Sequence, residues 1–576
     1  MNLLSFFAKP STPRQRQYEA IRAAVIDKLP IKTVADKYNY TVSTLYALLR
    51  DAKAGKLELF PSVEIGPKSR STPDHIRKEI ILRRSQNLSA KDICGAMNKE
   101  GYKLSISTVE RILADAHFPK LPRRSKSACG TTRKNQSIPE RSMPLDFIDL
   151  KPFRCDCPAV GVFFFLPYII ESGIIDILKQ CNLPESSAID STQACLSMLL
   201  LKLIGSERLS HINAFDHEPG LGIFAGLNVL PKATYMATYS CRTSDKLLMS
   251  FQKQVVTRFK NIYPEFYQSE FINLDFHSIP HFGEQSKMEK VWCGARGKSM
   301  KGANTVFAQD AASNIILYTN ADILRKNEAQ EILKFAHYWK GIQGSLNETL
   351  VFDCKLTKYS VLDELHNDGV KFITLRKRNE KLLLETAQIT GDKWQKAYLP
   401  IPKRKHKAFL VHETETVFKD CKTNLRQIII KDHGRAEPTF VITNNRDLPI
   451  KDVLTVYAKR WRIENKLAEL VAFFNLNALS SPLMVRIHFD VLWTVIADTF
   501  YHRLAQDLPR FERERANSIF RHFINTPGQI IYDGENFTVK IRKRAHTPIL
   551  LGVEKLQQEF SVPWLDNRKI KIEWTA

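Results

Sequence analysis

Phe271-Ile-Asn-Leu-Asp275-Phe276-His277 is the stretch at which this chain changes period. Upstream of it apolar residues recur at helical spacing. Here they alternate, as a half-buried strand requires. Working downstream, residues 304–310 and 314–319 read as two further strands with a turn at Ala311-Ala-Ser313. Residues 328–339 read as a helix, 349–353 as an apolar strand ending on Asp353, and 359–367 as a second helix. Gly369 ends that helix and 370–375 is a fifth strand. Three strands, a helix, a strand, a helix and a strand make an α/β domain with a mixed sheet. Residues 377–440 alternate like antiparallel strands and contain Trp394 and the basic run Lys403-Arg-Lys-His-Lys407. Phe440-Val-Ile-Thr443 closes this part, and 455–474 is a long amphipathic helix.

Upstream, residues 14–52 read as three short helices. Tyr18, Ile21, Val25 and Leu29 share one face of the first, and Pro30 separates it from a second helix at 32–38. A turn at Asn39-Tyr-Thr41 leads into a third at 43–52. There Leu45, Leu48 and Leu49 point inward and Ser43, Thr44, Tyr46 and Arg50 outward. This is a helix-turn-helix pattern, and it recurs. A basic helix at 76–84 precedes Ser89-Ala-Lys-Asp92, a capping box. Gly101-Tyr-Lys103 makes the turn. A helix at 107–116 then turns Val109, Ile112 and Leu113 inward, leaving Ser107, Thr108 and Arg111 for a ligand. A Pro/Ser/Gly-containing stretch at 61–73 joins the two units. Residues 119–144 are rich in Pro, Ser, Lys and Arg and read as a flexible basic linker. Residues 147–266 are mostly helical, with a buried helix at 192–204.

Composition narrows the function classes. In 576 residues, 44% hydrophobic and 25% charged, the chain is globular and long enough for three or four domains. The net charge of +24 calls for a polyanionic partner or a tolerance for self-repulsion, and the first 145 residues hold 27 Lys and Arg against 13 Asp and Glu, more than half of that excess. The ten Cys contain no Cys-x-x-Cys, so a reducing compartment fits better than a disulfide scaffold. Cys155 and Cys157 read as buried or idle thiols. The start lacks a basic n-region and a small-residue cleavage site, and the apolar run 160–170, broken by Pro167, is too short to span a bilayer.

Three carboxylates stand out by position. Asp275 lies in the first strand of the α/β domain and Asp353 ends the fourth. If those strands are neighbours, the two sit side by side, where like charges need a cation between them. With a third carboxylate from a packed helix they suit one or two Mg²⁺ ions held through hard oxygens. Such a site activates an attacking oxygen and stabilises the leaving oxygen of an in-line phosphoryl displacement. The third comes from Tyr457-Ala-Lys-Arg460-Trp-Arg-Ile-Glu464. On a helix Arg460 falls about 60° and Glu464 about 20° from Tyr457, so a phenol, a guanidinium and an acid share one face. Arg460 and Glu464 also have the i, i+4 spacing of an ordinary surface pair.

The motif Y-x-x-R-W-x-I-E, following Phe440-Val-Ile-Thr-Asn-Asn445, resembles the signature of bacterial insertion-sequence transposases of the DDE type. The resemblance covers about residues 205–505, including Phe224-Ala-Gly-Leu-Asn-Val-Leu-Pro231. It implies a ribonuclease-H-like catalytic domain with Asp275, Asp353 and Glu464 as catalytic, metal-holding triad, and Tyr457 and Arg460 on the DNA. It implies a β-rich insertion before the Glu-bearing helix, matching 377–440. The family pattern also has a Lys seven residues after the Glu, where this chain has Val471. Lys466 is nearest but points about 180° away from Tyr457.

The expected organisation is therefore helix-turn-helix units at 1–60 and 61–125, a basic linker at 126–145 and a helical domain at 146–268. The ribonuclease-H-like domain takes 269–376 and 441–505, the insertion 377–440, and a C-terminal region 506–576. The expected function is a transposase that binds terminal inverted repeats of its element through Ser43, Thr44, Tyr46, Arg50, Ser107, Thr108 and Arg111. It would cut and transfer DNA strands with Mg²⁺, for which Mn²⁺ can substitute. Its partners would be double-stranded DNA of element ends and target, and a second copy at least in the active complex. The setting would be the cytoplasm of a prokaryote, on the nucleoid, without membrane or ATP. The alternatives are a transposase-derived DNA-binding regulator that has lost catalysis, kept open by Val471, and a structure-specific nuclease.

Other chemistries find less support. Asp275, His277 and His281 invite zinc, but no second ligand pair has metal spacing. His277 and Ser278 then line the strand near the acids or satisfy turn backbone. Gly297-Lys298-Ser299 looks like the end of a P-loop, but Trp292 stands where its first Gly belongs. No His-x-x-Arg and no His-Glu-x-x-His occurs. Trp394 and Lys403–Lys407 would either grip DNA or be a packed indole beside a solvated charge face.

Overall fold

Thr12 opens helix α1 (Pro13–Val25) by accepting the Gln15 N–H at 3.2 Å, with Pro13 in the first turn where no amide is needed. Helix α2 (Ile31–Lys37) follows Pro30. Asn39 turns the chain at φ +56°, and Thr41 caps α3 (Val42–Lys53). The three helices enclose Ala20, Ala23, Val34, Ala35, Tyr38, Leu45 and Leu48. The face expected of α1 is corrected here. Tyr18, Val25 and Leu29 are exposed, and Ala20 and Ala23 are buried in their stead. Alanine methyls let the helix backbones approach closely, which a ridge of large side chains would prevent.

Helices α4 (Asp74–Ser85), α5 (Ala90–Lys99) and α6 (Ile106–Asp115) repeat the arrangement around Ile80, Ile93, Met97, Val109, Ile112 and Leu113. Both halves of the Ser89–Asp92 capping box are made, and Gly101 turns the chain at φ +95°.

The computed structural model describes residues 7, 9–60, 72–86, 88–118, 141–215, 217–283, 288–399, 407–478 and 483–576. The stretch 61–73 up to residue 71, the linker up to residue 140 and the basic run up to residue 406 lie outside these. The chain divides into two compact units, Met1–Lys134 and Asn135–Ala576.

In the second unit, strand β1 (Phe153–Cys157) is followed by helices α7 (Leu166–Ser172), α8 (Ile174–Gln180), α9 (Ser191–Leu203) and α10 (Asp245–Ile262). Asp190 and Gln193 form a capping box for α9, and all thirteen of its residues are buried. The α/β part runs β2 (Phe271–Pro280), β3 (Lys290–Cys293), β4 (Lys298–Asp310), β5 (Ile316–Ile323), α11 (Gln330–Gln343), β6 (Thr349–Phe352), α12 (Tyr359–Asn367) and β7 (Phe372–Leu375). It continues through α13 (Glu380–Ala387), β8 (Gln395–Tyr398), β9 (Ala408–Phe418), β10 (Cys421–Lys431) and β11 (Thr439–Thr443). Helices α14 (Ile450–Lys459), α15 (Trp461–Phe473) and α16 (Met484–Gln506) come next.

These strands form one ten-stranded sheet in the order β3-β4-β2-β6-β7-β11-β10-β9-β8, with β5 on β4. β2, β6 and β7 are parallel neighbours and the remaining pairings are antiparallel. Three details differ from the sequence reading. Segment 377–440 contains a helix, α13, capped by Asn379, as well as strands. Its strands extend the central sheet, because β11 pairs with β7 and carries β10, β9 and β8 outward. The helix expected at 455–474 is divided at Arg460 into α14 and α15.

Residues 506–576 contribute β12 (Gly528–Tyr532), β13 (Phe537–Arg542), β14 (Phe560–Val562) and β15 (Arg568–Thr575). With β1 they make a second sheet, β1-β12-β13-β15-β14. One apolar cluster runs from Cys157 to Ile572 and includes α9, α16 and the inner faces of both sheets. Among the described residues no single helix is long and apolar enough to cross a membrane; the bent pair Val160–Ser172 and Ile174–Gln180 meets the length and composition, and its apolar side chains are buried in that cluster.

Candidate active site

β6, Thr349-Leu-Val-Phe352, is buried throughout, so the first carboxylate after it emerges at the strand's end. β6 pairs in parallel with β2 in the register Leu274↔Phe352, which makes Asp275 and Asp353 the next positions on adjacent strands. Asp275 Oδ1 accepts the Phe276 N–H at 2.8 Å. Its Oδ2 accepts Arg460 Nη1 at 3.1 Å, and Arg460 Nη2 donates to Glu464 Oε1 at 2.7 Å.

Arg460 thus bridges β2 and α15. Its side chain is 13% exposed, against 20% for Asp275 and 56% for Glu464, so the Arg460–Asp275 pair is shielded while the Arg460–Glu464 pair reaches the surface. The guanidinium lies 5.9 Å from the Tyr457 ring centroid, and its Nε, buried, has no partner. Burial raises the Asp275 carboxyl above its ordinary range, opposed by Arg460 and the Phe276 amide and reinforced by the charges of Glu464 and Asp353. Burial also raises the Tyr457 phenol, keeping it protonated. Arg460 is desolvated too, but the charges of Asp275, Tyr457, Glu464 and Asp353 outweigh that and raise its pKa. Three acids, one guanidinium and one phenol are thereby gathered from β2, the end of β6 and two successive helices.

Beside them opens a cavity of about 1100 Å³ lined by Asp353, Tyr457, Arg460 and Glu464. The same cavity is lined by Arg376, Lys377, Arg378 and Arg435, which the sequence reading missed. The signal was present: Arg376-Lys-Arg378 follows β7 directly, and β7 is the parallel neighbour of β6, so the basic triplet leaves the sheet beside Asp353.

Other sequence expectations fall as follows. Val471 packs against the main core, and Lys466 is buried on the far side of α15, with Nζ 2.7 Å from both Asp498 Oδ1 and His502 Nε2. Trp394 is a packed indole, donating to the Ile389 carbonyl at 3.4 Å with Lys431 Nζ 3.8 Å from its ring centroid. Burial pushes Cys155 and Cys157 up to about 11 and about 12, which leaves both thiols protonated and unreactive. His277 Nε2 lies 2.7 Å from Asn477 Oδ1, and burial lowers its pKa. In the first unit Ser43, Tyr46, Arg50, Ser107 and Arg111 are exposed and Thr108 half-buried. The hydroxyls of the exposed Thr44 and of Thr108 lie against the cap residues Thr41 and Ser105.

Among the described residues no three His, Cys, Asp or Glu side chains lie close enough together to hold a metal ion as they stand. The donor set nevertheless suits a hard divalent cation. Its candidate ligands are carboxylate oxygens alone, and Asp275 feels the negative charge of both other acids. The guanidinium now supplies the positive charge that such a cluster requires.

Residues 268–497 match the family model of the transposase DDE domain. The matched stretch contains Asp275, Asp353, Tyr457, Arg460 and Glu464. No curated protein matches the chain in sequence. Solved structures similar to it include a piggyBac transposase synaptic complex with hairpin DNA, at 9% identity and a TM-score of 0.36 over 67% of this chain and 82% of that one. A pre-cleavage Mos1 transpososome is similar at 9% identity and a TM-score of 0.13 over 63% of this chain and 77% of that one.

Proposed function

We propose that this chain is a DNA transposase that binds the terminal inverted repeats of its element through residues 1–125. On this reading it cuts and rejoins DNA strands at Asp275, Asp353 and Glu464. The observation that supports it most is that Arg460 joins Asp275 to Glu464, with Asp353 ending the strand beside Asp275, inside the segment that matches the transposase DDE domain. The three carboxylates would hold Mg²⁺ or Mn²⁺, which supplies activation of an attacking oxygen and stabilisation of a leaving oxygen at phosphorus. Arg460 presents a planar fork that exchanges Asp275 for a DNA phosphate. Arg376, Lys377, Arg378 and Arg435, which line the same cavity, hold the backbone of the same strand. Tyr457, protonated, donates a hydrogen bond at the cavity mouth. Joining two element ends calls for at least two copies in the active complex.

The test is incubation of the purified chain and Mg²⁺ with duplexes carrying the inverted repeats that flank its gene. Nicks at the element boundary followed by joined products are expected. Binding without products would identify a regulator, and cutting without joining a nuclease.

Two further results are expected. Arg460→Lys conserves charge but loses the fork, and strand cleavage should fall about tenfold or more at unchanged melting temperature, because a point ammonium cannot make two parallel bonds. Full activity would remove the phosphate role. A fragment of residues 1–134, which holds both three-helix cores, should bind an end duplex unaided, with log affinity falling linearly in log salt. Equal affinity for end and random sequence at every salt concentration would place recognition elsewhere.

A further inference from the structure

β2 and β4 pair from Ile272↔Asp310 to Pro280↔Gly302. Beyond that point β4 continues to Lys298 and pairs with β3 alone, in the register Lys290↔Lys301, Val291↔Met300, Trp292↔Ser299 and Cys293↔Lys298. The central sheet therefore runs out into a two-stranded ribbon closed by a turn through Gly297 at φ +60°. Directly opposed residues share a face. Val291, Cys293 and Met300 lie half-buried or buried on the inner side, which the exposed Lys298, opposite Cys293, shares at the ribbon's tip. Lys290, Trp292, Ser299 and Lys301 share the outer side.

Two features of this ribbon serve no purpose in the fold. Trp292 is 61% exposed, so most of its apolar surface gains nothing from folding. Phe282, 63% exposed, carries the Arg296 guanidinium 5.3 Å above its ring. Over residues 288–301, Lys290, Arg296, Lys298 and Lys301 face a single acid, Glu289, whose carboxylate accepts the Arg325 amide. Among the described residues no ion pair engages Lys290, Arg296 or Lys298. Unpaired cations around exposed aromatic rings complement a polyanion with stacking surfaces.

We infer that the β3–β4 ribbon is a second duplex-DNA contact, separate from the first unit. It would enter a groove with Lys290, Arg296 and Lys298 on phosphates and Trp292 against the sugar–base edge. The major groove is wide enough for a two-stranded ribbon. The ribbon starts five residues after Asp275, about 17 Å along β2 at the rise of a strand. That is about five base steps of duplex, so a DNA cut at the acid cluster meets the ribbon roughly half a turn away. The inference rests on the DNA-cutting reading for the position of the duplex.

The experiment uses the full chain in EDTA, with fluorescence anisotropy of a labelled duplex across a salt series. The triple variant Lys290→Gln/Arg296→Gln/Lys298→Gln should bind about tenfold or more weakly. Its log–log salt slope should be shallower by about 2 to 3, since each lost phosphate contact removes about 0.9. Hydroxyl-radical protection about five base pairs from the cut position should vanish in the triple variant. Trp292→Ala should weaken binding without changing the slope, and Trp292→Phe should recover part of it. These side chains are exposed, so unfolding midpoints should match the parent's. A triple variant with the parent's slope and footprint overturns the ribbon contact while duplex binding by the parent stands. A parent chain that binds no duplex overturns the DNA reading and the ribbon with it.

Discussion

Asp275→Asn, Asp353→Asn and Glu464→Gln should each lower Mg²⁺-dependent strand cleavage by about a thousandfold or more, the scale on which losing one preorganised electrostatic partner is felt. Each keeps the shape of the side chain and removes the charge that a cation needs. Duplex affinity in EDTA should change little, since binding is assigned to other residues. Melting temperature should also hold for Asp275→Asn. The change relieves repulsion from Glu464 and Asp353 while costing one bond to Arg460, which keeps Glu464. A variant that cuts at near the parent rate would remove its residue from the site. The pH profile carries a sign. Because burial raises the Asp275 carboxyl, it takes up its proton at higher pH than an ordinary aspartate. Cation binding competes with that proton, so at limiting Mg²⁺ cleavage should weaken on acidification and recover as Mg²⁺ is raised.

Lys466→Met should destabilise the second unit by about 3–5 kcal/mol at neutral pH, the usual result of breaking a buried ion pair from one side. Asp498 is 1% exposed at its side chain and would be left without its ammonium, and its Oδ2 already lacks a partner. The paired change Lys466→Met/Asp498→Leu should recover most of the loss, because two apolar side chains of similar volume need no counter-charge. Burial drives Asp498 upward even with Lys466 present to oppose it. In the single variant its folded pKa therefore stands above the unfolded one. The deficit is present above the folded pKa and is relieved as pH falls through it, completely below the unfolded value. His502, held down to about 3 by burial and by Lys466, stays neutral and accepts from the ammonium. Urea unfolding of both variants at two pH values decides this, and a single-variant cost below about 1 kcal/mol would show that the pair is not the anchor of α15 to α16. Lys466 is thus committed to the interior, and does not replace the basic residue missing at Val471.

That Asp275 lies within a strand and that Asp353 ends another was readable from period alone; that the two strands are neighbours came from the pairing of β2 with β6. Alternation places Asp275 within β2, and an apolar strand of four residues has to end at Asp353. The capped helices of the first unit were readable because Ser89, Asp92, Thr41 and Gly101 act within one turn of themselves. The face of α1 was misread because a helix's apolar stripe does not say whether its large or its small side chains meet the neighbours.

What the chain determines by itself is local: strand and helix periods, caps, turns, and the spacing that puts Tyr457, Arg460 and Glu464 within reach of one another. Tertiary structure decided everything that depends on which distant segments meet. The antiparallel pairing of β11 with β7 turns segment 377–440 into an extension of the central sheet. The pairing of β1 with β12, some 375 residues apart, closes the second sheet with the C-terminal strands. The order β2-β6-β7 brings Arg376-Lys-Arg378 to the cavity that Asp353 lines. Arg460 finds Asp275 across 185 residues of sequence. Such contacts follow from burying apolar faces against one another, a property of the whole chain that no window of neighbouring residues contains.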